Sequence, residues 1–198
     1  WLVYNGEVYN YRELRDELAA RGHRFATRGD AEVILEAYKA WGADAFTRFN
    51  GMFAFGLWDC AAERFHLVRD RFGIKPLYYW KDDHRLYFAS TCDALARRLG
   101  LEPDLSYAAR GIHYWAYDDG ERAPFVGLRS LPPGHRATVD LAGPKPLRLE
   151  TLAYYSLAEA VAQRAETLRA RGEDELREEL AALLERAVTL RMRSDVPV

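Results

Sequence analysis

The sequence lacks any run of about 18 apolar residues, so it predicts no transmembrane helix. It also lacks a basic segment followed by an apolar stretch at its start, which argues against a signal peptide. Cysteine is scarce: Cys60 and Cys92 are the two in the chain. Their wide separation fits neither a zinc motif nor a disulfide framework. We therefore expect two unpaired thiols in a reducing cytoplasm.

The sequence also has no strong excess of either charge. It carries 28 basic and 30 acidic residues in 198, a net charge of −2. Nothing in this balance calls for nucleic acid or a membrane surface as a partner. The five histidines are scattered without metal-ligand spacing, and no glycine-rich phosphate loop is present. We expect no metal or cofactor within this chain.

The apolar pattern of the first half predicts helices followed by an antiparallel meander. Residues 1–7 read as a strand that ends in an Asn-Gly turn, and Asn10 and Asp30 are natural caps for two amphipathic helices. Residues 51–59 carry apolar groups on both faces, as in a strand covered on both sides. Hairpins follow around residues 59–63 and 81–84. This order predicts an α+β fold with a buried sheet in a layered sandwich.

The second half of the chain predicts a different organisation. Residues 142–172 are irregular and polar and read as a linker. Residues 173–192 predict a strong amphipathic helix. The last residues, 193–198, are extended and apolar, like the beginning of a strand. The expected domains are therefore 1–141, a linker at 142–172, and the start of a further domain at 173–198.

The sharpest local motif is Asn-Gly-Glu-Val-Tyr-Asn at residues 5–10. Its simpler interpretation is a turn between a strand and a helix, because Asn-Gly favours turns. Its functional interpretation is an oxyanion hole. The side-chain amide of Asn5 and the backbone N–H of Gly6 can converge on one developing negative oxygen, and glycine permits the close backbone approach.

Two further segments have a structural and a functional interpretation. Asp30 is either a helix cap or a carboxylate that recognises the ammonium group of a ligand. Glu32 follows on the same helix, where its side chain points elsewhere. Residues 69–79 mix charge, a glycine turn and a proline-ended apolar run, which favours a loop that holds local geometry.

Taken together, six segments occur in the order found in one family. They are Asn-Gly-Glu-Val-Tyr-Asn at 5–10, Asp-Ala-Glu-Val-Ile-Leu at 30–35, Asn-Gly-Met-Phe-Ala-Phe at 50–55, the Arg-Asp-Arg-Phe-Gly-Ile-Lys-Pro-Leu-Tyr-Tyr run at 69–79, Leu-Pro-Pro-Gly-His at 131–135 and Arg-Ser-Asp-Val-Pro at 193–197. The chain thereby resembles, from end to end, the class II glutamine amidotransferase domain of glutamine-dependent asparagine synthetases.

The resemblance implies an Ntn-hydrolase-like αββα sandwich of antiparallel sheets over residues 1–141. It implies a domain that hydrolyses glutamine and passes ammonia to an ATP-dependent synthetase domain, which amidates aspartate. Asn5 and Gly6 match the oxyanion-hole positions of the family. Glu7 and Asp30 match positions that hold the α-amino group of glutamine. The implied partners are glutamine and the C-terminal synthetase domain of the same protein, with a possible homodimer.

The chain departs from the family at both ends and at two internal sites. The family's nucleophile is an amino-terminal cysteine, whereas position 1 is Trp, so we expect the nucleophile and its neighbouring arginine upstream. The ATP loop would follow Val198, which places ATP and Mg²⁺ with the synthetase domain, and this chain alone is expected to be inactive. Gly29-Asp30 and Ser90-Thr91 replace the usual Ser-Asp and Ser-Glu. A β-lactam-synthetase-like or peptide- or sugar-modifying relative, and a catalytically dead glutamine-binding module, remain alternatives.

Overall fold

A computed structural model of the chain describes residues 1–115, 120–143 and 145–193. These residues form two compact units. The first consists of Trp1–Glu7 with Met52–Tyr154, and the second of Val8–Gly51 with the described residues from Tyr155 onward. The extended ending predicted for residues 194–198 lies outside the described residues.

The strands of the described chain form a larger and a smaller sheet. The larger sheet contains β1 (Leu2–Val8), β2 (Gly51–Asp59), β3 (Arg64–Arg69), β7 (His135–Asp140) and β8 (Leu149–Ala153), in that order across the sheet. The smaller one has β5 (Leu86–Ala89), β4 (Tyr78–Lys81) and β6 (Arg129–Ser130). The pairs β2–β3, β3–β7, β7–β8, β4–β5 and β4–β6 are antiparallel.

The two sheets of the first unit pack face to face. Their shared core combines Ala54, Leu67 and Ala137 of the larger sheet with Tyr79 of the smaller one. Gly56 allows this close packing, because a Cβ at that position would lie 2.6 Å from the ring of Phe88. The predicted sandwich of antiparallel sheets is confirmed.

The first unit also contains the helices α4 (Cys92–Leu99) and α5 (Leu105–Tyr114), and α4 packs against the smaller sheet. Leu95 of α4 packs with Leu128 against Tyr78, Trp80 and Tyr87. The smaller sheet is therefore covered on both faces, by the larger sheet and by α4.

The predicted burial of residues 51–59 on both faces is also confirmed. Phe53, Ala54, Phe55 and Leu57 are each at most 3% exposed, although successive side chains point to opposite faces of a strand. The hairpin to β3 turns where Asp59 accepts hydrogen bonds from the N–H groups of Ala61 and Ala62. Both hairpins predicted from turn residues are present.

The second unit is helical in its described part. It contains α1 (Tyr11–Ala20), α2 (Asp30–Trp41), a 3₁₀ turn (Gly42–Asp44), α3 (Ala45–Arg48), α6 (Leu157–Arg169) and α7 (Glu173–Arg191). Leu14 and Leu18 of α1 are buried, as are Val33 and Ile34 of α2. The apolar faces expected on α1 and α2 are thus buried.

The prediction of an irregular segment at residues 142–172 is wrong in its local structure. Leu149–Ala153 forms β8, and Leu157–Arg169 forms α6. β8 pairs with β7 along its whole length, from His135 opposite Ala153 to Val139 opposite Leu149. A five-residue edge strand gains its stability from this distant partner, which a local pattern does not reveal. The predicted domain boundaries themselves stay a prediction.

Candidate glutamine site

Gly6 occupies a position in β1 that only glycine can fill. Its φ is +138°, a backbone conformation that L side chains rarely adopt. A Cβ at Gly6 would lie 2.1 Å from the carbonyl oxygen of Met52 and 2.7 Å from the Cα of Phe53. Strain and collision therefore exclude any side chain here. The close contact of Gly6 is with the backbone of Met52 and Phe53, and its predicted role as an oxyanion donor stays a prediction.

Asn5 directs its side-chain amide toward the smaller sheet. Its Nδ2 donates a hydrogen bond to Ser90 Oγ at 3.1 Å. A primary amide carries two N–H groups, so this contact uses one of them and leaves a second donor. The residue itself is exposed. Asn5 and Ser90 also line a cavity of about 190 Å³, together with Val3, Tyr4, Ala54, Phe55, Leu77, Phe88 and Ala89.

Asp70 holds the strand that faces Gly6. Its carboxylate is fully buried and accepts four backbone hydrogen bonds, from the N–H groups of Phe53, Phe72, Ile74 and Lys75 at 3.0–3.2 Å. A buried carboxylate is stable when hydrogen bonds satisfy it in this way. Asp70 thereby ties its own loop to Phe53, the residue against which Gly6 lies.

The guanidinium group of Arg69, in the same loop, is likewise held by several hydrogen bonds. Its guanidinium donates to the carbonyl oxygens of Lys75, Gly73 and Leu131 and to Ser130 Oγ, at 2.7–3.2 Å. Only 6% of Arg69 is exposed. The Tyr154 hydroxyl donates to the Arg69 carbonyl, and burial together with the nearby Asp70 raises the pKa of Tyr154. The prediction that residues 69–79 hold loop geometry is confirmed.

Asp30 lies in the second unit, where it does not act as the predicted helix cap. It is the first residue of α2, and Gly29 occupies the cap position without a side-chain hydrogen bond. Asp30 Oδ2 instead accepts the backbone N–H of Val8 at 2.8 Å. Val8 follows Glu7 directly in the chain. The cap interpretation is wrong because a long-range backbone donor, 22 residues away, takes the carboxylate.

Glu7 is an exposed residue of β1, and it belongs to the first unit together with Asn5 and Gly6. Asp30 belongs to the second unit. The sequence-based roles of these four residues, two as oxyanion donors and two as ammonium partners, therefore stay predictions.

Asn10 occupies the predicted cap position of α1 but uses its side chain differently. Its amide donates to the Arg48 carbonyl and accepts from the Asn50 N–H, at 3.0 and 2.9 Å. It makes no side-chain cap for α1. The side chain instead fastens the loop before β2 to the start of α1.

Glu32 contributes a contact that the sequence did not reveal. Its carboxylate accepts the N–H groups of Ala26 and Thr27 and the Thr27 hydroxyl, each at 2.7 Å. These hydrogen bonds lower the pKa of the Glu32 carboxyl, and the one from the Ala26 N–H has the largest effect. The side chain thus fastens the loop that leads into Asp30.

Arg193 makes the second unrecognised contact, also in the second unit. It donates to the Tyr9 carbonyl at 2.6 Å and forms a two-pronged ion pair with Glu13. The hydrogen bond from Arg193 is the main reason that the pKa of Glu13 falls to about 2. Arg193 is the first residue of the Arg-Ser-Asp-Val-Pro motif. Its partners, Tyr9 and Glu13, lie 184 and 180 residues away in sequence, so no local pattern predicts the contact.

The two cysteines of the chain both lie in the first unit. Cys60 lies exposed in the β2–β3 turn. Cys92 begins α4, and burial followed by the neighbouring charge of Asp93 raises its thiol pKa, which disfavours the reactive thiolate. Within residues 1–115, 120–143 and 145–193, no group of three or more His, Cys, Asp or Glu side chains could hold a metal ion. The same residues include no helix long and apolar enough to cross a bilayer.

Sequence comparison relates the chain to known proteins over nearly its whole length. It is 32% identical to asparagine synthetase (glutamine-hydrolysing) 1 of Bacillus subtilis over 201 residues, which is 100% of this chain and 30% of that protein. It is 36% identical over 204 residues to a putative asparagine synthetase of Mycobacterium tuberculosis, with the same coverage. Amidase chry2 of Gibberella zeae is 33% identical over 99% of the chain and 28% of its own length. The chain thus spans about a third or less of these relatives.

Structural comparison agrees with the fold predicted from the sequence. The glutamine phosphoribosylpyrophosphate amidotransferase of B. subtilis matches with a TM-score of 0.51, at 18% identity, over 78% of this chain and 29% of that one. The α+β, Ntn-hydrolase-like fold is confirmed. The model of the glutamine amidotransferase domain family matches residues 1–155. The chain therefore belongs to the glutamine amidotransferase domain family.

Proposed function

We propose that this chain is the glutaminase domain of a longer, glutamine-hydrolysing asparagine synthetase. The family match and the asparagine synthetases among its relatives support this assignment. The observation that carries it is the Gly6 backbone, which is held where no side chain fits, beside an asparagine amide with a donor to spare. Such a pair suits an oxygen that becomes negative during acyl transfer.

In this proposal the donors of Asn5 and Gly6 receive the amide oxygen of glutamine. Hydrogen bonds aimed at the developing negative charge lower the barrier because they require little reorganisation during the reaction. The backbone of Gly6 is held in position by its close contact with Met52 and Phe53. The Asn5 side chain is fixed by its contact with Ser90.

Glu7 and Asp30 are proposed to bind the α-ammonium group of the same glutamine. A cation in a closed pocket needs carboxylate partners to offset its lost hydration. The Val8 N–H orients the Asp30 carboxylate, and Glu32 fastens the loop just before it. In this proposal these contacts orient the Asp30 carboxylate toward the ligand.

The reaction proposed is acyl transfer through a cysteine upstream of Trp1. The thiol of an amino-terminal cysteine gives its proton to the chain's own α-amine and attacks the glutamine amide carbon. The C–N bond breaks, the nitrogen leaves as ammonia with that proton, and a thioester remains. Water then cleaves the thioester to glutamate and regenerates the thiol. No oxidant or reductant is needed.

The synthetase half of the reaction belongs to the rest of the proposed protein. ATP and Mg²⁺ would activate aspartate there, and ammonia from this domain would be the second substrate. We further propose a cytoplasmic location, from the unpaired cysteines, and a possible homodimer. A relative called an amidase, at 33% identity, favours a second candidate: an amidotransferase of the same type with another acceptor.

The test is glutamate release by the full-length protein, with and without ATP and aspartate. We expect glutaminase activity, and aspartate-dependent formation of AMP. Asn5→Ala is expected to lower kcat by roughly 100-fold, the usual effect of losing one oxyanion donor. Asn50→Ala is the matched control, because Asn50 makes its described hydrogen bond through its backbone.

Other results of this assay would support one of the alternative functions. Glutamate release without aspartate-dependent AMP would indicate a related amidotransferase that uses a different acceptor. Glutamine binding without glutamate release, or a full-length protein in which no cysteine becomes amino-terminal, would indicate a catalytically dead module.

A further inference from the structure

Ser90 accepts the hydrogen bond that the Asn5 side chain donates. It follows β5 directly, and β5 is an edge strand of the smaller sheet, whereas β1 is an edge strand of the larger one. The hydrogen bond from Asn5 Nδ2 to Ser90 Oγ therefore joins the two sheets of the first unit at their edges. Both side chains also line the cavity of about 190 Å³.

The Asn5 amide needs such an anchor if it is to serve as an oxyanion donor. The terminal torsion of an asparagine side chain has broad minima, so an unanchored amide samples many orientations. A hydrogen bond to one N–H fixes the plane of the amide, and the planar geometry then fixes the direction of the second N–H. An exposed asparagine without this bond would have to be ordered by the substrate itself.

Ser90 is well suited to provide a fixed anchor because its own position is rigid. Ala89 pairs with Tyr78 of β4 and belongs to the core beneath α4. Phe88 packs against Phe65 with ring centroids 5.3 Å apart. Functional groups placed beside such packed strands hold their geometry better than groups on loops.

We infer that Ser90 is a positioning residue for the proposed amide hydrolysis: its hydroxyl orients the Asn5 amide so that the second N–H faces the developing oxyanion. This role rests on the proposed function of Asn5. It also gives a purpose to the serine of the Ser90-Thr91 pair, to which the sequence alone assigned no role. Ser90 does not touch the reacting atoms and acts only through Asn5.

The experiment measures glutaminase kcat and KM of the full-length protein with Ser90→Ala and Ser90→Thr. We expect Ser90→Ala to lower kcat about tenfold with little change in KM, since the lost contact acts in the transition state. Ser90→Thr keeps the hydroxyl and is expected to stay near wild type. In an Asn5→Ala background, Ser90→Ala should have almost no further effect, because the group that it positions is gone.

Ser156→Ala provides the matched control, because it removes a hydroxyl that accepts the Glu159 N–H at the start of α6, outside the proposed site. If Ser90→Ala melts well below wild type, Ser90→Cys gives the same comparison, with a weak acceptor of similar size. An unchanged kcat in Ser90→Ala, or an equal loss with and without Asn5, would overturn the inference while leaving the proposed function intact. A wild-type protein that releases no glutamate would overturn both.

Discussion

The Arg69–Asp70 loop and the Asn5–Gly6 segment are both parts of the family motif, yet they differ in how their polar groups are used. In the loop, both charged side chains are buried, and every contact described above is to backbone or to Ser130. In the segment, Asn5 is exposed, and among the described residues its amide has one partner, Ser90. A saturated buried network stabilises a fold, whereas an ordered donor with unused capacity is available to a ligand.

The largest effect that this comparison predicts is that of Asp70→Asn on stability. The new NH₂ group would face two of the four backbone N–H donors that now point at the carboxylate. We expect the free energy of unfolding to fall by about 3 kcal/mol or more, because buried donors lose their acceptor. Thermal or urea unfolding of the full-length protein measures this. Asp83→Asn, at an exposed turn, is the control. A loss below about 1 kcal/mol would show that the loop does not depend on this carboxylate.

The next effect is that of Gly6→Ala, which should lower activity more than it lowers stability. The added methyl group would collide with Met52 and Phe53, and the backbone would have to leave its positive φ. We expect a kcat loss of roughly 100-fold with a stability loss of about 1–3 kcal/mol. Kinetics and melting curves of the same samples separate the two. Gly172→Ala is the control, since a Cβ there meets no atom within 4 Å. Wild-type kcat in Gly6→Ala would remove Gly6 from the site.

The smallest effect concerns the exposed Glu13–Arg193 ion pair, which sharpens the contrast with the buried Arg69–Asp70 loop. The folded pKa of Glu13 is about 2, below its ordinary value of 4.5. The pair therefore adds stability above about pH 4.5, and this is lost as pH falls toward 2. About half of the Glu13 side chain is exposed, so screening limits the contribution to under about 1 kcal/mol.

Glu13→Gln checks this prediction by melting at pH 7 and at pH 3. We expect a small loss relative to wild type at pH 7 that shrinks at pH 3, because Glu13 of the unfolded chain is already protonated there while folded Glu13 must still hold off a proton. The exposed Glu102→Gln should change neither value. A loss at pH 7 as large as that of Asp70→Asn would mean that burial is not what separates the two kinds of contact.

The successful predictions from sequence share a local cause. The burial of residues 51–59 on both faces, the turn at Asp59 and the helix at Glu173–Arg191 follow from side-chain periodicity and turn chemistry within a few residues. The failures share a distant cause. Asp30 is no cap because Val8 takes its carboxylate, and residues 149–153 form a strand because β7 offers an open edge.

Helix α7 shows what a local sequence pattern can and cannot predict. Its predicted apolar stripe is real, yet Leu180, Leu183, Leu184 and Val188 are each more than half exposed in the described structure, while Leu190 is buried. Periodicity predicts that a helix has an apolar face. It does not predict which part of that face finds a packing partner.

The sequence by itself determined the hairpins, the strand at residues 51–59 that is buried on both faces and the sandwich class, because these depend on turn chemistry and apolar spacing over short distances. The tertiary structure alone decided that Asp70 is saturated and that Asn5 meets Ser90. Their hydrogen-bond partners lie up to 17 and 85 residues away, and only the folded chain brings them within 3.2 Å.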